Sequence, residues 1–252
     1  MPNIKELFVF DFDDTLAMTP SLIGIRRINK KNESDVNFKQ WLRDFSLNFE
    51  AIDGENSAQE LIWMNSQNFA AYEKAHRDDL DFLDSNNLRD EYDFSKTAGV
   101  DVANTEPVKS IISIAQGAYA RPDAAVVIVT ARSGEGNMSS MFGSKNKKIT
   151  NTEDIQKFLN SQGLNISSGD VTTAGDIGSG PKAKADAVEK YIKSYNPEIV
   201  HFYDDNVNNI QAVIGLCGQT FPDIQIIAHQ IGINGTIQNV SKCFESFERF
   251  LR

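Results

Sequence analysis

Asp11 and Asp13 stand two residues apart at the end of the apolar run Leu7-Phe8-Val9-Phe10, with Phe12 between them. A continuous apolar run of this length reads as a strand buried on both faces. At the two-residue period of a strand, both acids project to one side and Phe12 to the other. Two carboxylates this close repel, and one pKa rises unless a cation neutralises the pair. Carboxylates beside a cation serve as nucleophile, proton carrier or metal ligands. The competing reading is a solvated, Asp-rich turn. Asp14 follows on the far side by strand alternation and reads as a turn or capping residue.

Three further apolar runs must position partners for this pair. Ala124 to Val129 ends at Thr130, Ile199 to Tyr203 ends at Asp204 and Asp205, and Ile224 to Ala228 follows. Helical patterns separate them, at about Pro107–Ala118, Thr152–Ser161, Lys182–Tyr195 and Asn206–Leu216. Strands alternating with helices predict an α/β fold, a doubly wound (Rossmann-like) parallel sheet. Ligands of such sheets bind beyond the carboxyl ends of the strands. Asp11, Asp13, Thr130, Asp204 and Asp205 all fall at those ends.

Segments 1–17 and 106–252 form the expected core, and 18–105 an inserted lobe. That insertion is far longer than an ordinary connection. Phe38, Trp41, Leu42, Phe45 and Phe49 repeat at helical spacing, as do Leu61, Met64, Phe69 and Tyr72, with Gly54 near a break. A mostly helical lobe is expected, its aromatics forming its own core. Asp78 to Asp93 reads as a solvated helix face or loop. Ser133 to Lys148 is glycine- and serine-rich and ends in Lys145, Lys147 and Lys148. It reads either as a surface loop or as a flap facing the substrate.

The chain has 252 residues, 40% hydrophobic and 24% charged, with net charge −10 and pI about 4.8. This composition is that of a globular protein. The acidic balance weighs against nucleic acid and anionic membranes as general partners, leaving only an end of a nucleic acid as a candidate. Cys217 and Cys243 form neither a CxxC pair nor a zinc pattern and suit a reducing compartment. No run approaches the roughly 20 apolar residues of a membrane span. No secretory signal is evident, so a cytoplasmic protein is expected. His76, His201 and His229 show no metal-ligand spacing and read as structural. Oligomeric state leaves no mark in the sequence.

Asp11-Phe12-Asp13-Asp14-Thr15-Leu16 resembles the first signature of the haloacid dehalogenase (HAD) superfamily. Val126 to Thr130 is similar to its second motif, Lys184-Ala185-Asp186-Ala187-Val188 to its third, and Phe202-Tyr203-Asp204-Asp205 to its fourth, in the same order. The resemblance frames the chain except for the inserted lobe, which resembles the family's caps between the first two motifs. It implies a Mg²⁺-dependent phosphohydrolase working through an aspartyl-phosphate. It casts Asp11 as nucleophile and Asp13 as acid and base, in that order. Mg²⁺ takes oxygen ligands; Asp11, the Asp13 main chain, Asp205 and Asp204 are the candidates, with Asp205 the direct one by position. Asn208 and Asn209 stand where the family often carries a later acid. Thr130 offers a hydroxyl and Lys184 a charge to the transferred phosphoryl, with Lys182 as competitor. Arg132 reaches either a substrate phosphate or Asp13.

The implied substrate is a small phosphorylated metabolite or nucleotide. A polynucleotide 3′-phosphatase is the alternative among enzymes. An idle HAD-derived interaction protein is the alternative from another class.

Overall fold

The computed structural model describes residues 4–32, 52–53, 62–66, 68–69, 72, 80–134, 136–139, 146–178 and 180–242. The chain divides into two compact units. The first comprises Met1–Thr19, Gly99–Glu135 and Ile149–Arg252, the second Pro20–Ala98 and Gly136–Lys148.

The first unit is α/β, with a mostly parallel central sheet. Strand β1 is Glu6–Phe10, and a short β2 at Ala17–Met18 pairs with β7 at Glu106–Pro107. Then come α2 (Lys109–Tyr119), β8 (Ala124–Thr130), α3 (Asn151–Ser161) and β11 (Val171–Thr173). The unit continues through α4 (Gly180–Tyr195), β12 (Ile199–Asp204), α5 (Val207–Thr220), β13 (Gln225–Ile231) and β14 (Ile237–Lys242). The strand order is β11-β8-β1-β12-β13-β14, and only the β13–β14 pairing is antiparallel. The four core helices fall within a few residues of the periodic segments. Strands β11 and β14 are additions. The first is three residues long, and the second carries Gln238 and Asn239 in place of an apolar run.

The alternation of β1 explains its continuous hydrophobicity. Leu7 and Val9 enter one buried cluster with Val127, Val129, Val200 and Phe202, covered by α4 and α5 residues such as Val188, Ile192 and Val213. Phe8 and Phe10 enter another with Val126 and Ile128, covered by Ile111 and Ala115 of α2 and by Ile155 and Phe158 of α3. The central strand is therefore packed on both sides, and its carboxyl end is fixed to within the tolerance of a close-packed core.

The inserted segment departs from expectation. Among its described residues the main structure is an antiparallel sheet in the order β4-β5-β3-β6, formed by Ile52–Asp53, Ile62–Met64, Ile23–Asn29 and Leu88–Asp93. One six-residue helix, α1 (Leu80–Ser85), precedes β6. The expected mostly helical lobe is thus mainly strand where it is described. Of the expected helical pattern Leu61, Met64, Phe69 and Tyr72, Met64 lies in β5, Phe69 and Tyr72 are helical, and Leu61 lies outside the described residues. The Phe38–Phe49 pattern, with Gly54, lies outside the described residues. The acidic Asp78–Asp93 stretch is not simply a solvated face. Its end is β6, where Asp90 sits opposite Arg27. Arg27 Nε donates to Asp90 at 2.8 Å, both side chains are 1% exposed, and the Tyr72 hydroxyl also donates to Asp90. A cross-strand ion pair satisfied on several sides overrides the polar pattern along the strand. Trp63 and Tyr72 are buried within this unit, as expected of its aromatics. In the Ser133–Lys148 stretch, Asn137–Ser139 (β9) pairs antiparallel with Asn146–Lys148 (β10), and residues 140–145 lie outside the described set.

Phe202 is fully buried at the centre of the first unit. Phe202→Ala is expected to cost about 3–5 kcal/mol, because the cavity cannot close between two helices and a sheet. Denaturant unfolding followed by circular dichroism measures it.

Candidate functional site

Asp11 is the first residue beyond β1, and its N–H donates to the Tyr203 carbonyl of the neighbouring β12 at 2.9 Å. This ties the carboxyl ends of the two central strands together. Asp204 ends β12 and Asp205 follows it. One carboxylate oxygen from each of Asp11, Asp204 and Asp205 lies within 4.8 Å of the others. Lys184, in the first turns of α4, is buried against them. Its ammonium lies 2.7 Å from Asp11 Oδ1 and 2.7 Å from Asp204 Oδ2.

Asp204 is held on its other side by α5. The Asn206 N–H donates to its Oδ1 at 2.9 Å, and Asn209 Nδ2 reaches both oxygens at 3.0 and 3.2 Å. Asn206 also caps α5 by accepting from the Asn208 N–H. Asn209 therefore orients a carboxylate as a donor and does not replace a later acid. The two lysines differ in exposure. Lys182 is 84% exposed and pairs with Asp186 along the helix, while Lys184 is 3% exposed.

Burial pushes the Asp11 carboxyl well above its ordinary range; Lys184 opposes this, and Asp204, Asp205 and Asp13 add to it. Asp205 is pushed up to about 7 by burial and by Asp204. Burial disfavours the Lys184 charge, but Asp11 and Asp204 hold its pKa above the ordinary lysine value. With all three carboxylates ionised, the one ammonium would leave two negative charges uncompensated, which adds to burial in raising the Asp11 and Asp205 pKa values. The donor set is oxygen only. It fits a hard divalent cation such as Mg²⁺, whose charge closes that balance. The cation would be held by Asp11, Asp204 and Asp205. Asp204 and Asp205 both belong to the cluster, and position in the sequence favours Asp205 as the direct ligand.

Asp13 acts on Asp11 through its charge but takes its direct partners elsewhere, where the chain leaves extended geometry. Leu16 and Ala17 N–H groups both return to the Phe12 carbonyl, and Asp14 has φ 57° within that tight turn. The Asp13 carboxylate is gripped by Arg132 through two bonds, Nε to Oδ2 at 2.8 Å and Nη2 to Oδ1 at 2.7 Å. Thr19 Oγ1 donates to the same Oδ1 at 2.6 Å. Burial works to raise the Asp13 pKa, but the guanidinium overrides it and holds the carboxyl below its usual range. Of the two readings of Arg132, the structure has the pair with Asp13. Both members of the pair are largely buried.

Thr130 ends β8, beside β1, and is fully buried; its Oγ1 accepts the Arg132 N–H at 3.2 Å. Gly175 lets the next loop close behind this turn. A Cβ there would lie 2.7 Å from the Ala131 carbonyl oxygen and 2.9 Å from that of Arg132, so only glycine fits the approach. Sequence reading missed Thr19 and Asn151. Asn151 is fully buried at the start of α3 and accepts from Arg132 Nη1 at 3.1 Å. A polar residue at a helix start ordinarily reads as a cap, so no signal separated it. His201 and His229 lie in a stack with Phe8 and Tyr203, and His201 Nε2 faces Glu6 at 3.2 Å.

Compared with protein-family models, with curated proteins and with solved structures, the chain matches none. No helix among the described residues is long and apolar enough to cross a membrane.

The raised Asp205 pKa has a consequence for stability. A folded-state pKa above the unfolded value contributes stability below about pH 4 that is lost as pH rises through about 7. In metal-free protein, Asp205→Asn should therefore raise the melting temperature at pH 8 relative to wild type, and do so less at pH 5. Differential scanning calorimetry at the two pH values, with chelator present, measures the difference.

Proposed function

We propose that this chain is a Mg²⁺-dependent phosphohydrolase of the HAD type, acting through an aspartyl-phosphate on a small phosphorylated metabolite or nucleotide. The carrying observation is Asp11. It is a buried carboxylate at a sheet's carboxyl edge, touched by a lysine and within one ion's reach of two further carboxylates. The resemblance of four sequence motifs to those of the family adds to this. On the same reading the core is a doubly wound sheet and the inserted unit is the family's cap; its place in the chain, after the first strand, supports that.

Phosphate esters resist attack because they are anionic, so catalysis is mainly positioning and charge. The bound cation would offset the phosphoryl charge as the Asp11 carboxylate approaches. Asp11 Oδ attacks phosphorus, the ester oxygen leaves, and Asp11 carries the phosphoryl group. Lys184 holds Asp11 in place and faces the incoming charge. Thr130 supplies a hydroxyl beside it. Water then attacks phosphorus, Asp13 takes its proton, and the Asp11 carboxylate is released. The Arg132 clamp keeps Asp13 as the carboxylate this second step requires. Proton donation in the first step is correspondingly weak, which favours leaving groups that are stable as anions.

With Mg²⁺ the protein should hydrolyse p-nitrophenyl phosphate, and EDTA should abolish turnover. Asp11→Asn should reduce kcat by at least about 1,000-fold with the circular dichroism spectrum unchanged. Wild-type turnover by that variant would remove the nucleophile from the mechanism. Across a series of aryl and alkyl phosphates, kcat/KM should climb steeply with leaving-group acidity; a flat series would contradict the weak proton donor.

A further inference from the structure

Arg132 carries five N–H donors in a planar fork. Nε donates to Asp13 Oδ2, and Nη2 to Asp13 Oδ1 and to Thr19 Oγ1 at 3.2 Å. Nη1 donates to the Gly99 carbonyl at 3.3 Å and to Asn151 Oδ1 at 3.1 Å. Five donors thus meet five acceptors, leaving none to bind a phosphate. The acceptors come from four separate stretches of the first unit: the turn after β1, the segment at Gly99, and the start of α3, besides Thr19. Asn151 is in turn fixed, because its Nδ2 donates to the Ser133 carbonyl at 2.8 Å. Its amide therefore spans Arg132 and the loop that carries it.

We infer that Arg132 is a positioning residue for Asp13, that Asn151 and Thr19 position the clamp, and that none of the three binds the substrate phosphate. The inference rests on the phosphohydrolase reading and assigns residues that no motif of the family marks. A bidentate guanidinium pair fixes both the place and the plane of a carboxylate. Asp13 then meets the water that attacks the phosphoryl group on Asp11. In that step the water oxygen bonds to phosphorus as the bond to Asp11 breaks. The electron pair returns to Asp11, and the water proton passes to Asp13. Removing a partner of such a pair typically costs 10–100-fold in activity without removing any group that touches substrate.

The clamp should therefore matter for dephosphorylation and not for phosphate binding. Wild type and Asn151→Ala are compared by stopped flow with p-nitrophenyl phosphate and Mg²⁺, whose leaving group needs no proton. In Asn151→Ala the first turnover should release nitrophenolate as a burst close to the enzyme concentration. The steady rate should then fall by about 10-fold, KM should not rise, and inhibition by inorganic phosphate should stay within about twofold. A raised KM with weaker phosphate inhibition and no burst would make Arg132 a substrate ligand and overturn the inference. So would wild-type kinetics throughout. Should Asn151→Ala fail to fold, Thr19→Val removes a different partner of the clamp and should give the same burst. Wild type releasing no nitrophenolate overturns the phosphohydrolase reading, and this inference with it. Wild-type turnover lost in Asp11→Asn, but no burst in either clamp variant, overturns the inference alone.

Discussion

The Lys184 ammonium, seated between Asp11 and Asp204, is the interaction on which the site depends. Buried carboxylates without a partner would neutralise or repel each other apart. One lysine at 2.7 Å from each lets two strand ends from different parts of the chain carry charge side by side. Its own charge is secured by the same neighbours. The pairing costs desolvation, and it is useful only because it is incomplete. On the proposed reading, the remaining negative charge would give the cluster an affinity for a divalent ion that a fully compensated site would lack.

The fold supplies that arrangement through ordinary packing. β1 is covered on both faces, so its end has little freedom. α4 places Lys184 from one face of the sheet. α5, opening immediately after β12, places Asn209 and the Asn206 N–H against Asp204. Asp13 is held by Arg132, while its charge still acts on Asp11 and Lys184. The site thus divides its carboxylates into two electrostatic classes: Asp11 and Asp205 pushed up by burial and their neighbours, Asp13 held down by a guanidinium. Such a separation is how one site holds carboxylates for different tasks.

The sheet core was readable because its strands are short, β-branched and apolar on both faces, and because helices with clear periodicity alternate with them. The cluster of Asp11, Lys184, Asp204 and Asp205 was legible because the acids stand at strand ends and Lys184 near a helix start. Two things were not. Strand alternation set Asp11 and Asp13 side by side but could not show that the direct partner of Asp13 is Arg132, beside a turn with a left-handed Asp14. Partnership between residues 119 positions apart leaves no local periodicity. The inserted segment misled for a related reason. Apolar residues at helical spacing in Leu61–Tyr72 include a strand. The Arg27–Asp90 pair makes β6 look like a solvated stretch, because its polar residues are satisfied across the sheet. Asn151, Thr19 and Asn209 act by hydrogen bonds to other side chains, and single polar residues of that kind look like caps and turns.

The central claim is that Asp11 carries the phosphoryl group covalently. It is tested most directly by quenching the enzyme in acid during turnover, reducing any acyl phosphate with borohydride and mapping the product by peptide mass spectrometry. Reduction of Asp11 to homoserine, dependent on substrate, is the predicted result. Modification of another residue, or none while hydrolysis proceeds, would contradict the account.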